Sequence, residues 1–372
     1  MKATFKKGDL LPVLSKVQGL TGRRTNLAIT TNILIKTDKK GLSISATDLE
    51  TGFEGFYPAD IEKEGIVAIN ARKFYEIVKD FPSEDVFLNE VENHWIEIGN
   101  QKVEYHIVGL NPDDFPEIPK IEDVEFFEID SMSLAKMIER AVIVSGTTDD
   151  KRAHIIGVYA ERIEEKKNKL FRFVSTDGSR LSKVDTVLNK DANLPTGESA
   201  MIPKKGLVEI GKFLDDEGTV KIGFKENNFI VQKDSETLII LLLEGNFPEY
   251  ADIIVKKGGN SITFDRQLFL MMLKRMSILS SEDYKGVIFN FEKNQLVITS
   301  TNPDIGESKE DMDIEYSGDP ISVMFNPKFF IETLNVIDDD KLVVNIVDEE
   351  KPCLIEGEKD KTYLSVIMPM RI

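Results

Sequence analysis

An α+β protein built from three topologically similar domains is predicted by three observations. A strand-and-turn motif occurs three times. A strand-and-helix motif occurs three times behind it. The 372 residues are also too many for one ordinary hydrophobic core. With 41 % hydrophobic and 30 % charged residues, the composition suits packed globular domains rather than disorder.

The first motif comprises LSISATDLE (42–50), FRFVSTDGS (171–179) and LVITSTNPD (296–304). Each alternates apolar and polar residues and closes on Thr followed by Asp or Asn, the pattern of a half-buried strand entering a turn. The second comprises VAINARKFYEIVKDF (67–81), AMIPKKGLVEIGKFL (200–214) and VMFNPKFFIETLNVI (323–337). In each, an apolar strand meets a helix-opening Asn or Pro and then apolar residues at helical spacing: Phe74, Ile77 and Phe81; Leu207, Ile210 and Leu214; Phe330, Leu334 and Ile337. A further helix opens each unit, over 9–18, 130–145 and 265–280, behind an Asp suited to the first turn. Its expected core residues are Leu10, Val13, Leu14 and Val17, then Leu134, Met137, Ile138 and Ala141, then Leu268, Met272, Met276 and Leu279. Each unit is therefore two helices on antiparallel strands. Pro-bearing stretches at 113–126 and 245–260 divide the chain into expected domains 1–122, 123–252 and 253–372.

Several function classes are disfavoured. The N-terminal MKATFKKGDL has no apolar stretch of a secretory signal. The apolar run 238–243 is far shorter than the roughly 20 residues of a membrane span and reads as a buried strand. One cysteine, Cys353, allows no intrachain disulfide and fits a reducing, cytoplasmic setting. His94, His106 and His154 lack metal-ligand spacing. Asp311 and Asp313, and the run Asp338 to Asp340, read as solvated turns, and no phosphate-cradling glycine loop is present. We expect neither catalysis, nor a metal, nor a cofactor.

Net charge is −18, which by itself argues against a polyanionic partner. Net charge says nothing of distribution, however. The stretches 9–24, 70–80, 131–152, 203–214, 265–280 and 326–337 are each neutral or positive. On the second helix of each unit, Arg72, Glu76 and Lys79, then Lys205, Glu209 and Lys212, then Lys328, Glu332 and Asn335, fall on one face. The first helices add Lys16, Lys136, Arg140, Lys274 and Arg275. Such mixed faces suit weak, sequence-independent, salt-sensitive phosphate contact. No base-reading motif is present, so a duplex held this way would be retained by topology rather than affinity. The competing reading is a repeat scaffold that binds only proteins through short apolar peptides.

Five strings carry a resemblance: Met368-Pro369-Met370-Arg371-Ile372, Thr176-Asp177-Gly178-Ser179-Arg180-Leu181, Asp114-Phe115-Pro116, Phe247-Pro248-Glu249-Tyr250 and Ala71-Arg72-Lys73-Phe74. With the triplication, the chain resembles, over nearly its whole length, the β sliding clamp family of bacterial DNA polymerase III. The resemblance implies a non-catalytic processivity factor of three clamp domains. It implies a head-to-tail homodimeric ring, with helices lining the hole, sheets outside and double-stranded DNA within. Implied partners are the polymerase III alpha subunit, the clamp loader delta subunit and other proteins with clamp-binding peptides. Their pocket would include Ile155, Thr176, Gly178, Arg180, Leu181, Pro248, Val366, Ile367, Met368, Pro369, Met370 and Arg371, where flexible Met and aliphatic residues make an adaptable groove. The resemblance points DNA contact to Arg24, Arg72 and the 149–154 loop. Ala153 and His154 stand there where relatives carry tyrosines, leaving charge from Lys151 or Arg152. The implied dimer contact pairs an edge strand with Tyr105 and Ile107 against a helix end with Ile278 and Leu279 of a second copy.

Overall fold

The computed structural model describes residues 1–21, 27–100, 102–119, 122–144, 152–165, 168–188, 199–215, 217–256, 258–280 and 285–371. The first repeat runs β1 (Lys2–Lys6), α1 (Lys7–Thr21), β2 (Asn32–Asp38), β3 (Gly41–Thr47), β4 (Thr51–Tyr57), β5 (Asp60–Lys63), β6 (Gly65–Asn70), α2 (Ala71–Lys79), β7 (Asp85–Glu90), β8 (Trp95–Gly99) and β9 (Glu104–Val108). The second runs β10 (Phe126–Asp130), α3 (Ser131–Val142), α4 (Ala153–Ile156), β11 (Gly157–Glu165), β12 (Asn168–Thr176), β13 (Arg180–Val187), β14 (Ser199–Pro203), α5 (Lys204–Phe213), β15 (Thr219–Lys225), β16 (Asn228–Lys233) and β17 (Glu236–Leu241). The third runs β18 (Asn260–Asp265), α6 (Arg266–Met276), β19 (Val287–Glu292), β20 (Gln295–Asn302), β21 (Gly306–Asp313), β22 (Ile321–Phe325), α7 (Pro327–Asn335), β23 (Lys341–Ile346), β24 (Cys353–Gly357) and β25 (Tyr363–Ile367). One order of elements is thus used three times, with β5 and α4 as insertions. No helix among the described residues is long and apolar enough to cross a membrane.

Local chemistry explains why the repeat is audible in the sequence. Thr47 Oγ1 donates to the Thr51 carbonyl at 3.0 Å and accepts the Leu49 N–H, while Asp48 Oδ1 accepts the N–H groups of Glu50 and Thr51. The second repeat makes the same turn. Thr176 Oγ1 donates to the Arg180 carbonyl at 2.8 Å, and Asp177 Oδ1 accepts from Ser179 and Arg180. The residue after the Asp is left-handed in both, Leu49 at φ 77° and Gly178 at φ 89°. Such side-chain turns are self-contained, so the tripeptide predicts them. Helix starts are equally local for α2, α6 and α7, where Asn70, Asp265 and Asn326 cap the N–H groups of Lys73, Leu268 and Lys328. Helix α1 instead begins two residues before Asp9. Its first N–H groups are taken by Glu84, whose carbonyl accepts from Lys7 and whose carboxylate accepts from Gly8.

The strands form four antiparallel sheets in two compact units. One unit, 1–132 with 205–242, holds a five-stranded sheet in the order β5-β1-β7-β8-β9 and an eight-stranded sheet in the order β10-β15-β16-β17-β4-β3-β2-β6. Its core includes Phe74 against Phe5 and Phe213 stacked on Phe53. The other unit, 133–204 with 243–372, holds an eight-stranded sheet in the order β14-β11-β12-β13-β25-β24-β23-β18 and a four-stranded sheet in the order β21-β20-β19-β22. Its aromatic core gathers Phe264, Phe269, Phe289, Phe325 and Phe330. Both eight-stranded sheets join strands of different repeats, β17 to β4 and β13 to β25.

The run 238–243 enters a strand as expected, with Leu238, Ile239 and Ile240 buried. On α6 the expected core phase needs correction. Leu268 is 61 % exposed, and Phe269, Leu270 and Leu273 join Met272 and Met276 inside.

Candidate functional site

The cationic residues divide by what holds them. In the first unit, exposed Arg72 and Lys73 both pair with Glu76, at 3.0 and 2.8 Å. The hydrogen bonds from Lys73 and then Arg72 hold that carboxyl below its ordinary range. Lys205 reaches Asp48 and Glu50 at 3.1 and 2.7 Å. Lys212 spans both carboxylate oxygens of Glu209, and Glu209 itself is only 1 % exposed. The face expected for Glu209 is therefore corrected: on α5 it turns inward. In the second unit, Lys136 pairs with Asp338 at 2.7 Å, and Arg275 takes Glu310 in a fork. Lys79, whose ammonium lies 5.8 Å from the Tyr75 ring centre, and Lys274 have no carboxylate partner among the described residues. Arg152 is exposed and His154 half-buried at the start of α4, while Arg24 and Lys151 lie outside the described residues. Exposed pairs such as Arg72–Glu76 and Lys136–Asp338 contribute little, so a phosphate can displace those carboxylates at little cost. The buried carboxylates of Asp48 and Glu209 hold Lys205 and Lys212 more firmly. Replacing Lys79 and Lys274 together by Glu is expected to lower the magnitude of the log–log salt slope of duplex affinity by about 2 per chain. A titration over salt concentration checks it, and an unchanged slope removes both residues from phosphate contact.

Arg140 does not belong with them. It is 4 % exposed, its guanidinium 5.3 Å from the Tyr363 ring centre. It donates to the Val336 carbonyl and the Thr362 hydroxyl and pairs with Asp338 and Asp360. The charge pattern of α3 puts this arginine on a phosphate-facing surface. The fold spends it on packing α3 against the 336–363 segments. Arg140→Ala is expected to destabilise its unit by about 2–4 kcal/mol, read from the urea midpoint, while leaving the salt slope of DNA binding unchanged.

The residues expected in a peptide pocket are brought together within the second unit. Strand β13 pairs with β25 so that Arg180 faces Ile367 and Leu181 faces Val366, and the Met368 N–H continues the ladder to the Ser179 carbonyl. Leu181 and Val366 join Val174, Leu354 and Leu364 in a buried cluster, against which Tyr159, Phe247, Tyr250 and Ile254 pack. Ile155, Arg180, Leu181, Val366 and Ile367 are buried; they form the floor rather than the exposed lining. Arg180 is fixed from three sides, by Asp177, by Glu332 at 2.5 Å and by the Ile143 carbonyl, with the Phe329 ring 4.3 Å away. Thr176 and Gly178 make the turn beside it, and exposed Pro248 lies on a groove of about 400 Å³ with Tyr159, Arg172, Phe247 and Tyr250. Beyond β25, Met368, Pro369, Met370 and Arg371 line a second groove of about 830 Å³ with Ser322, Val323, Met324, Glu349 and Glu350. The Met370 N–H donates to the Met324 carbonyl at 2.8 Å, which fixes the chain's last described turn there.

Sequence reasoning missed Tyr159, Ser322 to Met324, Glu349 and Glu350, because they come from strands and turns far apart in the chain. The Phe-Pro-Glu-Tyr string was the available signal for Phe247 and Tyr250. It also missed a surface cluster on the β8–β9 hairpin, where ligating atoms of Glu97, Glu104 and His106 lie within 4.8 Å of one another. There His106 Nε2 is 3.1 Å from Glu104.

The expected contact residues between copies sit at open borders. β9 is the edge of the five-stranded sheet, with Tyr105 exposed and Ile107 half-buried. In the other unit, the turn after α6 presents Ile278 at 74 % exposure, with Leu279 half-buried. The Arg275–Glu310 pair ties this end of α6 to β21, itself the open edge of the four-stranded sheet.

Comparison with known proteins agrees with this architecture along the whole chain. Residues 1–119, 128–249 and 252–371 match, in order, the N-terminal, central and C-terminal domain families of the DNA polymerase III beta subunit. The chain is 27 % identical to the Beta sliding clamp of Chlamydia pneumoniae over 372 residues, covering 100 % of this chain and 99 % of that one. It is 27 % identical to that of Vibrio cholerae, with 100 % of both covered. Among solved structures it is similar to the DNA polymerase sliding clamp of Bacillus subtilis, with TM-score 0.92, 27 % identity, and 100 % and 99 % of the two chains covered. The DNA polymerase III subunit beta of Pseudomonas aeruginosa gives TM-score 0.91 at 26 % identity, with 100 % of both covered. Three domain matches in series, on a fold whose one element order is used three times, show that the chain belongs to the DNA polymerase III beta subunit family, the DNA sliding clamps.

Proposed function

We propose that two copies of this chain close head to tail around duplex DNA and act, without catalysis of their own, as the mobile tether of the replicative polymerase. The three clamp lobes are 1–122, 123–252 and 253–372. The observation that carries the reading is a pair of open sheet edges flanked by apolar side chains: β9 with Tyr105 and Ile107 on one, and the mainly charged strand β21 with Ile278 and Leu279 beside it on the other. An exposed apolar edge invites strand pairing and aggregation unless a partner covers it. Two different borders that complement each other give a heterologous contact, which closes when the rotation returns to the start.

Within such a ring, Arg72, Lys79, Lys136, Lys205, Lys212, Lys274 and Arg275 meet the duplex, together with Arg24, Lys151, Arg152 and His154. The carboxylates beside Arg72, Lys136, Lys205, Lys212 and Arg275 compete with phosphate and keep the hold loose, so the duplex can slide. The grooves around Pro248 and Met368 to Arg371 take short apolar peptides. Those peptides belong to the polymerase III alpha subunit, the clamp loader delta subunit and other proteins that share a clamp-binding motif. Light scattering tests the assembly: a stable species near twice 42.0 kDa is expected, and a monomer at micromolar concentration contradicts it.

A further inference from the structure

The end of α3 is closed by side chains from other elements. The Arg140 carbonyl accepts from Ser182 Oγ and the Ala141 carbonyl from Ser175 Oγ, both at 2.6 Å. The Ile143 carbonyl accepts from Arg180 at 3.0 Å, and the Val144 carbonyl accepts from Lys204 Nζ. Carbonyls at a helix end need such donors. Lys204 does more than cap: its ammonium also donates to the Ile155 carbonyl on α4 at 2.7 Å, tying two points of the chain eleven residues apart.

Lys204 is buried, at 9 % exposure, which is rare for lysine. Burial brings its pKa down from 10.5 to about 8; the Asp177 carboxylate favours the charge and the Arg180 guanidinium opposes it. Among the described residues those two groups, from the turn after β12 and from β13, are the charges that act on it, and Arg180 is itself answered by Asp177 and by Glu332 of α7. An apolar side chain of similar length would fill the space without the desolvation cost. The charge therefore marks a positional requirement, and what it positions is pocket floor: Ile155 directly, and the Thr176–Arg180 turn through the attraction of Asp177 and through the end of α3, whose adjacent Ile143 and Val144 carbonyls Arg180 and Lys204 share.

We propose that Lys204 is a positioning residue for the peptide pocket, holding the end of α3, α4 and the Thr176–Arg180 turn as one platform, so that peptide affinity depends on its charge. This rests on the pocket lying at those residues. Deprotonation converts charge-assisted bonds into neutral ones, about half as strong. A purely structural role gives the opposite pH trend. Because the folded pKa lies below the unfolded value, the native state binds fewer protons between pH 8 and 10.5, so this group makes unfolding less favourable as pH rises through that window.

The test is calorimetric titration of the full-length protein with an uncharged, end-blocked apolar pentapeptide from pH 7 to pH 9.5. Affinity in the native protein is expected to fall about fivefold over that range, and Lys204→Arg to hold it within about twofold. Lys204→Met at pH 7, which removes the donors as well as the charge, is expected to bind at least as weakly as the native protein at pH 9.5. Native affinity independent of pH, or an equal fall in Lys204→Arg, overturns the proposal. No binding at pH 7 in the native protein overturns the pocket assignment and the proposal with it.

Discussion

Deleting residues 370–372 is expected to weaken binding of an apolar polymerase-derived peptide by about a hundredfold while the dimer persists. Met370 is a wall of the 830 Å³ groove and is fixed there by its own N–H on the Met324 carbonyl. Losing an apolar anchor that a bound peptide covers typically costs about 2–3 kcal/mol at an interface, close to the stated factor. The fold should survive, because β25 ends at Ile367 and the bond from the Met368 N–H to Ser179 remains. The borders proposed to join the copies use none of these residues. Calorimetry with the peptide and light scattering on the same sample read the two halves of the expectation. Unchanged affinity removes Met370 from the site, and loss of the dimer shows that the C-terminus serves assembly instead.

Ile278→Asp is expected to open the ring. The side chain is 74 % exposed in the single chain, so the substitution costs the isolated fold little. In the dimer it would bury a carboxylate in an apolar contact. A head-to-tail dimer contains the same contact twice, so a loss of about 2 kcal/mol at each lowers ring stability by about a thousandfold. Sedimentation at micromolar concentration should show monomer in place of dimer, and processive synthesis should fail. Val187→Asp is a matched control, since Val187 is likewise exposed, at 62 %, but ends β13, which lies in a different sheet from β21. A dimer as tight as the native one after Ile278→Asp places the border elsewhere.

Much of the fold was legible because its signals are local. The Thr-Asp turns satisfy themselves within five residues, and Asn70, Asp265 and Asn326 cap helices three residues or fewer ahead. What was not legible depends on partners distant in the chain. Arg140, Glu209 and Lys204 sit on helices whose charge pattern alone reads as solvated surface. Their burial is decided by the Val336 carbonyl, by a fold that turns one α5 face inward and by the Ile155 carbonyl. Leu268 fits the apolar spacing of α6, yet Phe269 takes the core because it reaches the phenylalanine cluster, and Leu270 is buried beside it in the chain. The joins of β17 to β4 and β13 to β25 carry no local mark at all. The pocket was half legible for the same reason. Its Thr176–Leu181 and Met368–Arg371 strings stand in the sequence, whereas their meeting is made by one strand pair.

Retention on DNA tests the central claim most directly. Protein loaded on a nicked circular duplex, separated by gel filtration at moderate salt, should stay with the circle and leave within seconds once a restriction enzyme linearises it. Equal retention on circle and line would mean that the chain is held by affinity, and the encircling account would be wrong.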